Sequence, residues 1–394
     1  MAEILVLYHF LFFRKFYRDP FLNSTGELLS THFPHWIWMG RQMRKNKLWF
    51  KDDIYYYEPM SIPFLSSFYP IHIITAWIGA KLSTDSSFKL LHFTILAHYI
   101  LSSFLSYFMM LQWFPPLISL FGAMSISYMG ASQRVQNPCI AYTMAWIPGC
   151  FIDGYIGAFS FGMALLSGYY PTLVYMLPFI TLFNPFALFG IILGLPQVIP
   201  FLSYWPKSIR NGFKVDKRFG AMSIFRTLFQ DWRGYDNGVL FFETAVGMGL
   251  ATLLWALNPF STTTLIACFC FFLSFGFLRV PFRVPARFLY PACFFFTLSS
   301  CQTLMRFSDT TNQLLILVQG FLLLSNANLY PLWPFTEWQK RPSDWFDKES
   351  YDIKSFPYFT GYFHGIKTGG YTGGFSLKST CERRGVTNPN GERV

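Results

Sequence analysis

The chain has 394 residues, 53% hydrophobic and 13% charged, with mean hydropathy +0.32 and a formal net charge of +11. Soluble domains carry roughly 25% charged residues, so this composition excludes an ordinary soluble protein and points to a polytopic membrane protein. The cations lie between apolar runs instead of forming a stripe on a soluble domain. That distribution excludes nucleic acid as a partner and fits the positive-inside bias and attraction to anionic headgroups of the lipid bilayer.

Residues 1–13 are apolar but shorter than the ~20 residues that cross a bilayer core. They lack a basic leading segment and a small-residue cleavage site, so they read as the stub of a first helix whose start lies upstream. A polar stretch, 14–61, follows. Within it, Phe33-Pro34-His35-Trp36-Ile37-Trp38-Met39-Gly40-Arg41 alternates aromatic and polar residues at near-helical spacing. This predicts an interfacial helix with Phe33, Trp36, Ile37 and Trp38 turned to the headgroup–acyl boundary.

Apolar stretches then recur at 63–80, 88–113, 115–129, 140–152, 155–166 and 171–195. Beyond a basic stretch, 207–238, they resume at 239–257, 263–278, 286–305 and 314–330. The pattern predicts an all-α polytopic integral membrane protein with roughly nine to eleven membrane segments in residues 1–336. A polar, Gly- and Tyr-rich tail occupies 337–394. Breaks are expected at Ile147-Pro148-Gly149, between Gly168 and Pro171, and between Leu195 and Pro200. Irregular backbone survives at membrane depth only when buried in protein or lining a cavity, so these breaks predict a polar cavity. The basic excess of 207–238 reads as cytoplasmic, whereas 14–61 is expected on the extracytoplasmic side.

Charge is sparse elsewhere, so the polar stretch holds the first candidates for chemistry. Glu27, near the membrane surface beside His32, suits a general base toward a hydroxyl. It equally suits a ligand to a divalent cation that holds a diphosphate. Asp52, Asp53 and Glu58 supply further candidate ligands. The alternative is a solvated loop whose charges flank a helix. Later, Arg279, Arg283 and Arg287 stand four residues apart with Pro281 and Pro285 between them. Guanidinium groups pair bidentately with phosphate oxygens, so this bent segment suits a lipid-phosphate clamp. It also suits membrane anchoring by snorkelling side chains.

Gln133 to Asn137 reads as a connection, Asp153 as a capping residue, and His92 and His98 as core histidines. The seven cysteines show neither metal-site nor disulfide spacing. Cys268, Cys270, Cys293 and Cys301 fall in apolar runs and behave as small hydrophobes.

Four segments taken in order resemble the YfhO-like bacterial membrane proteins, which are placed near the GT-C glycosyltransferases. These are Gly26 to Pro34, Gly168 to Tyr175, Gly194 to Pro200 continuing to Arg210, and Phe282 to Phe288. The chain departs from the family's pattern at Glu27, where Asp is usual, and at Tyr169, where His is usual. It is also short for the family. The resemblance implies a multi-pass fold in a bacterial inner membrane. It implies transfer of a sugar from a polyprenyl-phosphate donor to an extracytoplasmic acceptor, with Glu27 as the base or cation ligand. Arg283 and Arg287 would then neutralise donor phosphate, and His32, Asp52, Asp53 and Glu58 would bind substrate or a divalent cation. A transporter, or a lipid-binding accessory membrane protein without chemistry, is the alternative.

Overall fold

A computed structural model describes residues 1–23, 28, 32–48, 66–129, 137–204, 248–274, 288–328 and 342–343. Its elements are helical, and no strand occurs among the described residues. In chain order these are α1 (Ala2–Phe12), α2 (Arg14–Arg18), α3 (Phe33–Arg44), α4 (Pro70–Gly79), α5 (Thr84–Leu111), α6 (Pro116–Tyr128) and α7 (Pro138–Trp146). Then come α8 (Tyr155–Leu166), α9 (Tyr170–Phe183), α10 (Ile191–Tyr204), α11 (Ala251–Leu254), α12 (Thr262–Leu273), α13 (Leu289–Leu304) and α14 (Asp309–Asn328).

Local chemistry sets many of these boundaries. Ser83, Asn137 and Ser261 cap α5, α7 and α12, each accepting from a backbone N–H in the first turn. Proline opens α4, α6, α7 and α9, where its missing N–H leaves no bond unmade. Of the expected breaks, the one at 147–149 becomes the 3-10 turn Pro148–Phe151. Gly168 takes a φ of 80° between α8 and α9, a conformation that glycine adopts without steric cost. The third differs from expectation, because Pro196 and Pro200 lie inside α10 without ending it. Packing on α8 keeps that helix going. A Cβ on Gly190 would overlap the Ala158 carbonyl oxygen, and one on Gly194 would press 2.6 Å from the Leu165 Cβ.

The long α5 is the spine. Helix α6 runs antiparallel to it, with Tyr128 Oη 3.0 Å from Ser103 Oγ and Met110 filling the space over Gly122. Helix α7 returns alongside, with the His98 and Tyr142 rings 4.2 Å apart. Helices α12 and α13 pair through Ser261 and Thr264 against Ser299. Helix α14 reaches α6 through Gln319 Nε2, which donates to Ser125 Oγ at 2.8 Å.

Beside a large buried apolar core, the helices bury many hydroxyls and expose many large apolar side chains. Ser103, Ser106, Ser125, Ser127, Thr297, Ser300 and Gln319 are buried, while Leu7, Ile74, Phe108, Phe159, Phe189, Ile192, Phe269, Leu317 and Phe321 are exposed. The interior hydroxyls are satisfied locally. Ser103, Ser125, Thr297 and Ser300 each donate to the carbonyl one turn back. Among the described residues, two helical stretches, Thr84–Leu111 and Pro185–Ser203, are long and apolar enough to cross a membrane by length and composition.

Helix α3 forms where the aromatic–polar spacing predicts it, but its aromatic face does not meet lipid. Phe33, Trp36, Ile37 and Trp38 are all buried inside the protein. The reason is a close approach to α4. A Cβ on Gly40 would overlap the Ala76 carbonyl oxygen, and the Trp36 ring occupies the space where a Cβ on Gly79 would stand. The Trp36 indole N–H then meets Thr75 Oγ1 at 3.4 Å.

Candidate functional site

The two ends of the bundle are built differently. At one end short turns join the helices. Gln112, just past α5, donates to the Phe151 carbonyl at 3.1 Å and accepts from the Asp153 N–H at 3.1 Å. Asn184 donates to the carbonyls of Cys150 and Ile152 at 3.0 and 2.8 Å. Asp153 thus joins this closure through its backbone N–H, consistent with a role at the end of a broken segment.

Toward the opposite end, residues 66–69 run into the middle of the bundle and are held from four sides. The Ser66 hydroxyl donates to the Ser167 carbonyl at 2.5 Å, and Cys139 Sγ lies 3.1 Å from the same oxygen. The Phe68 N–H donates to Gln197 Oε1 at 3.1 Å. Tyr69 Oη stands 2.6 Å from His98 Nε2, and the Trp146 indole N–H donates to it at 2.8 Å. Ser66 is itself a non-glycine residue at positive φ, 55°. Such a conformation costs energy and persists only where the surroundings over-determine it.

The hydrogen bonds fix the direction of this chain of side chains. His98 Nδ1 lies 2.7 Å from the Thr94 carbonyl oxygen, which can only accept. Nδ1 therefore carries the hydrogen, and in the neutral ring Nε2 offers a lone pair. Trp146 N–H then donates to Tyr69, and Tyr69 O–H donates to His98 Nε2. Tyr142 stacks on Tyr69 with ring centroids 4.8 Å apart, and its hydroxyl is 3.3 Å from His72 Nδ1. The arrangement is a buried phenol–imidazole pair braced by an indole.

His32 joins this region. It is buried at the N-terminal boundary of α3, and its ring lies within electrostatic reach of His35 and His72. Burial, helped by the neighbouring His32, lowers the His35 pKa to about 3. Glu27, Asp52, Asp53, Glu58, Arg283 and Arg287 lie outside the described residues, as does the connection containing Gln133 and Arg134. Among the described residues, no group of three His, Cys, Asp or Glu side chains is placed to hold a metal ion.

Chain path relates those positions to the site. Ser66 closes 49–65 and meets Ser167 and Cys139. Phe288 follows 275–287 and packs on Tyr175 at 4.5 Å. Phe201, near the start of 205–247, packs on Tyr170 at 4.2 Å. Met248, which ends that stretch, bonds Gln319 through its carbonyl. Arg44, near the start of 49–65, bonds the Ala80 carbonyl just before α5. Arg44, Ser66 and Phe201 lie toward the end of the bundle opposite Gln112, whereas Met248 meets Gln319 midway along α14.

Sequence reasoning missed Ser66, Tyr69, Tyr142 and Trp146, and took His98 as a core residue. It is buried, but its partner is a tyrosine 29 positions away. The available signal was weak: Ser66-Ser67-Phe68-Tyr69-Pro70 interrupts an apolar run with hydroxyls just before a helix-opening proline. No protein-family model, curated protein or solved structure matches this chain.

Proposed function

We propose that the protein is a multi-pass membrane glycosyltransferase of GT-C-like type that moves a sugar from a polyprenyl-phosphate donor to an extracytoplasmic acceptor. The observation that carries this reading is the convergence of chain ends. The described residues flanking the stretches that hold Asp52, Asp53, Glu58, Arg283 and Arg287 lie on the side of the central Ser66–Tyr69–His98 cluster away from Gln112. A transferase acting on a charged lipid donor needs its carboxylates and its cations on one side, around one polar floor.

The outward apolar side chains and the inward hydroxyls support a bilayer as the surrounding solvent. In this reading 14–61 and 207–238 both face the extracytoplasmic side of a bacterial inner membrane. This reverses the cytoplasmic side expected for 207–238 from its basic excess, and in this reading those cations serve the donor phosphate. Glu27 takes the acceptor's proton. Arg283 and Arg287 stabilise the phosphate leaving group as the glycosyl bond breaks. His32, Asp52, Asp53 and Glu58 surround the acceptor or a divalent cation.

The test is transfer from a panel of polyprenyl-phosphate-linked hexoses in membranes containing the full chain. Glu27→Gln is expected to lower transfer by about 10²–10⁴-fold, the usual worth of a general base, with the protein still accumulating in the membrane. Loss of the protein itself would make Glu27 structural and remove the reading's base. Single cysteines at Ser24 and Ser208, in an otherwise cysteine-free chain, should both react with an impermeant reagent from the extracytoplasmic face.

One feature favours translocation as a second reading. His98 lies midway along α5, about 20 Å from either helix end at a rise of about 1.5 Å per residue, and transporters bind substrate near the bilayer midplane. Solute counterflow that survives Glu27→Gln would establish that reading in place of the first.

A further inference from the structure

Where α3 and α4 meet, their C-termini come together beside the start of α5. The Arg44 guanidinium donates to the Ala80 carbonyl at 3.1 Å, and the Ser87 hydroxyl ties α5 to the Gly79 carbonyl at 2.7 Å. This corner gathers five exposed cations: Arg44, Lys45, Lys47, Lys81 and Lys89. Two of them lie over aromatic rings, with Lys81 Nζ 3.8 Å from the Trp77 ring centroid and Lys89 Nζ 5.2 Å from that of Phe21.

Among the described residues around them, negative charge is sparse. Within residues 33–48 and 66–90 the only carboxylate is Asp85, and it accepts a hydrogen bond from the Ser343 N–H at 3.0 Å. The nearby Asp19 likewise accepts from the Phe21 N–H at 3.0 Å. Directly below the cations, α4 exposes Ile74, Trp77 and Ile78. The corner therefore presents a cationic rim over an apolar, tryptophan-bearing face. Snorkelling lysines and interfacial tryptophan take this order at a leaflet boundary.

We infer that the α3–α4 corner is a binding surface for the anionic headgroups of phospholipids in the leaflet at that end of the bundle. The inference rests on the membrane reading above but on none of its chemistry. Charge complementarity selects the occupant, since each lysine or arginine near an anionic leaflet contributes roughly a fivefold preference. The two helix C-termini direct carbonyl oxygens into the corner, and Arg44 covers one of them. Lys45, Lys47, Lys81 and Lys89 are exposed and supply the positive charge that engages headgroup phosphate.

The experiment uses the full chain in phosphatidylcholine vesicles carrying spin-labelled phosphatidylglycerol or spin-labelled phosphatidylcholine. The motionally restricted fraction should favour phosphatidylglycerol by at least about twofold, and the preference should vanish in 1 M NaCl, where screening acts within about 3 Å. Combined Lys45→Gln, Lys47→Gln and Lys81→Gln should bring the ratio close to one, whereas arginine at the same positions should keep it. Arg44 stays intact because it holds the corner together. A ratio near one for the unaltered chain, or one that survives the glutamine set, overturns the inference. So does inorganic phosphate that abolishes the preference more strongly than chloride of equal ionic strength, since that marks a free-phosphate site. Absence of any restricted component with either lipid would instead overturn the membrane reading and the inference with it.

Discussion

At the Gln112 end, polar side chains serve the backbone: Gln112 and Asn184 satisfy main-chain groups of the turn 150–153. Around Tyr69 the pattern changes. Ser66 and Gln197 still bond main-chain groups, but Trp146, Tyr69 and His98 bond one another. Buried backbone groups must be paired in any fold, so the first arrangement needs no further reason. A side-chain-to-side-chain network is not required to close a turn. It brings a phenol and an imidazole, both able to exchange protons, into a protein interior that could have been filled with leucine. The comparison separates a structural closure from a candidate site.

Asn184→Ala should break the structural side of this contrast most severely. It orphans two buried carbonyls and should cost about 2–4 kcal/mol, read by unfolding in mixed micelles, with unchanged transfer per folded molecule. A fall in specific transfer would show that the two ends are not functionally separate.

Tyr69→Phe comes next, at about 1–3 kcal/mol, because it leaves the Trp146 N–H and His98 Nε2 without their shared partner. Unlike Asn184→Ala, it should also depress transfer in the molecules that remain folded. If transfer per folded molecule is unaltered, the network is packing and the distinction drawn above is lost.

The smallest effect concerns pH. His35 has a folded pKa held down to about 3, against about 6.5 for an unfolded histidine. Above pH 6.5 both states are neutral there and the group contributes no pH dependence. As pH falls below 6.5 the unfolded chain binds the proton and the folded chain does not, so stability should fall by up to about 1.4 kcal/mol per pH unit. Replacing His35 with Phe should flatten the slope between pH 6.5 and 5. An unchanged slope would assign it to another group, with His32 the first to examine.

Much of the helical layout was legible beforehand. Residues 155–166 read as one apolar segment and form α8 with those bounds. The run 115–129 becomes α6, one residue shorter at each end. The run 171–195 was harder, because Asn184 and Pro185 divide it inside an unbroken apolar stretch. Of the candidate site residues, His32 is the one the structure describes, and it is buried at the start of α3 near His35 and His72.

Composition and apolar periodicity by themselves determined that this chain is helical, because each helix satisfies its own backbone and needs only local pattern. They also identified α3 as a helix. Only tertiary structure decided which way α3 faces, since that depends on Gly40 meeting Ala76 and Trp36 meeting Gly79 across more than thirty residues. It likewise decided that Tyr69, His98, Tyr142 and Trp146 share one network. Hydrogen bonds between side chains on different helices follow from how the helices pack, and no local spacing encodes that.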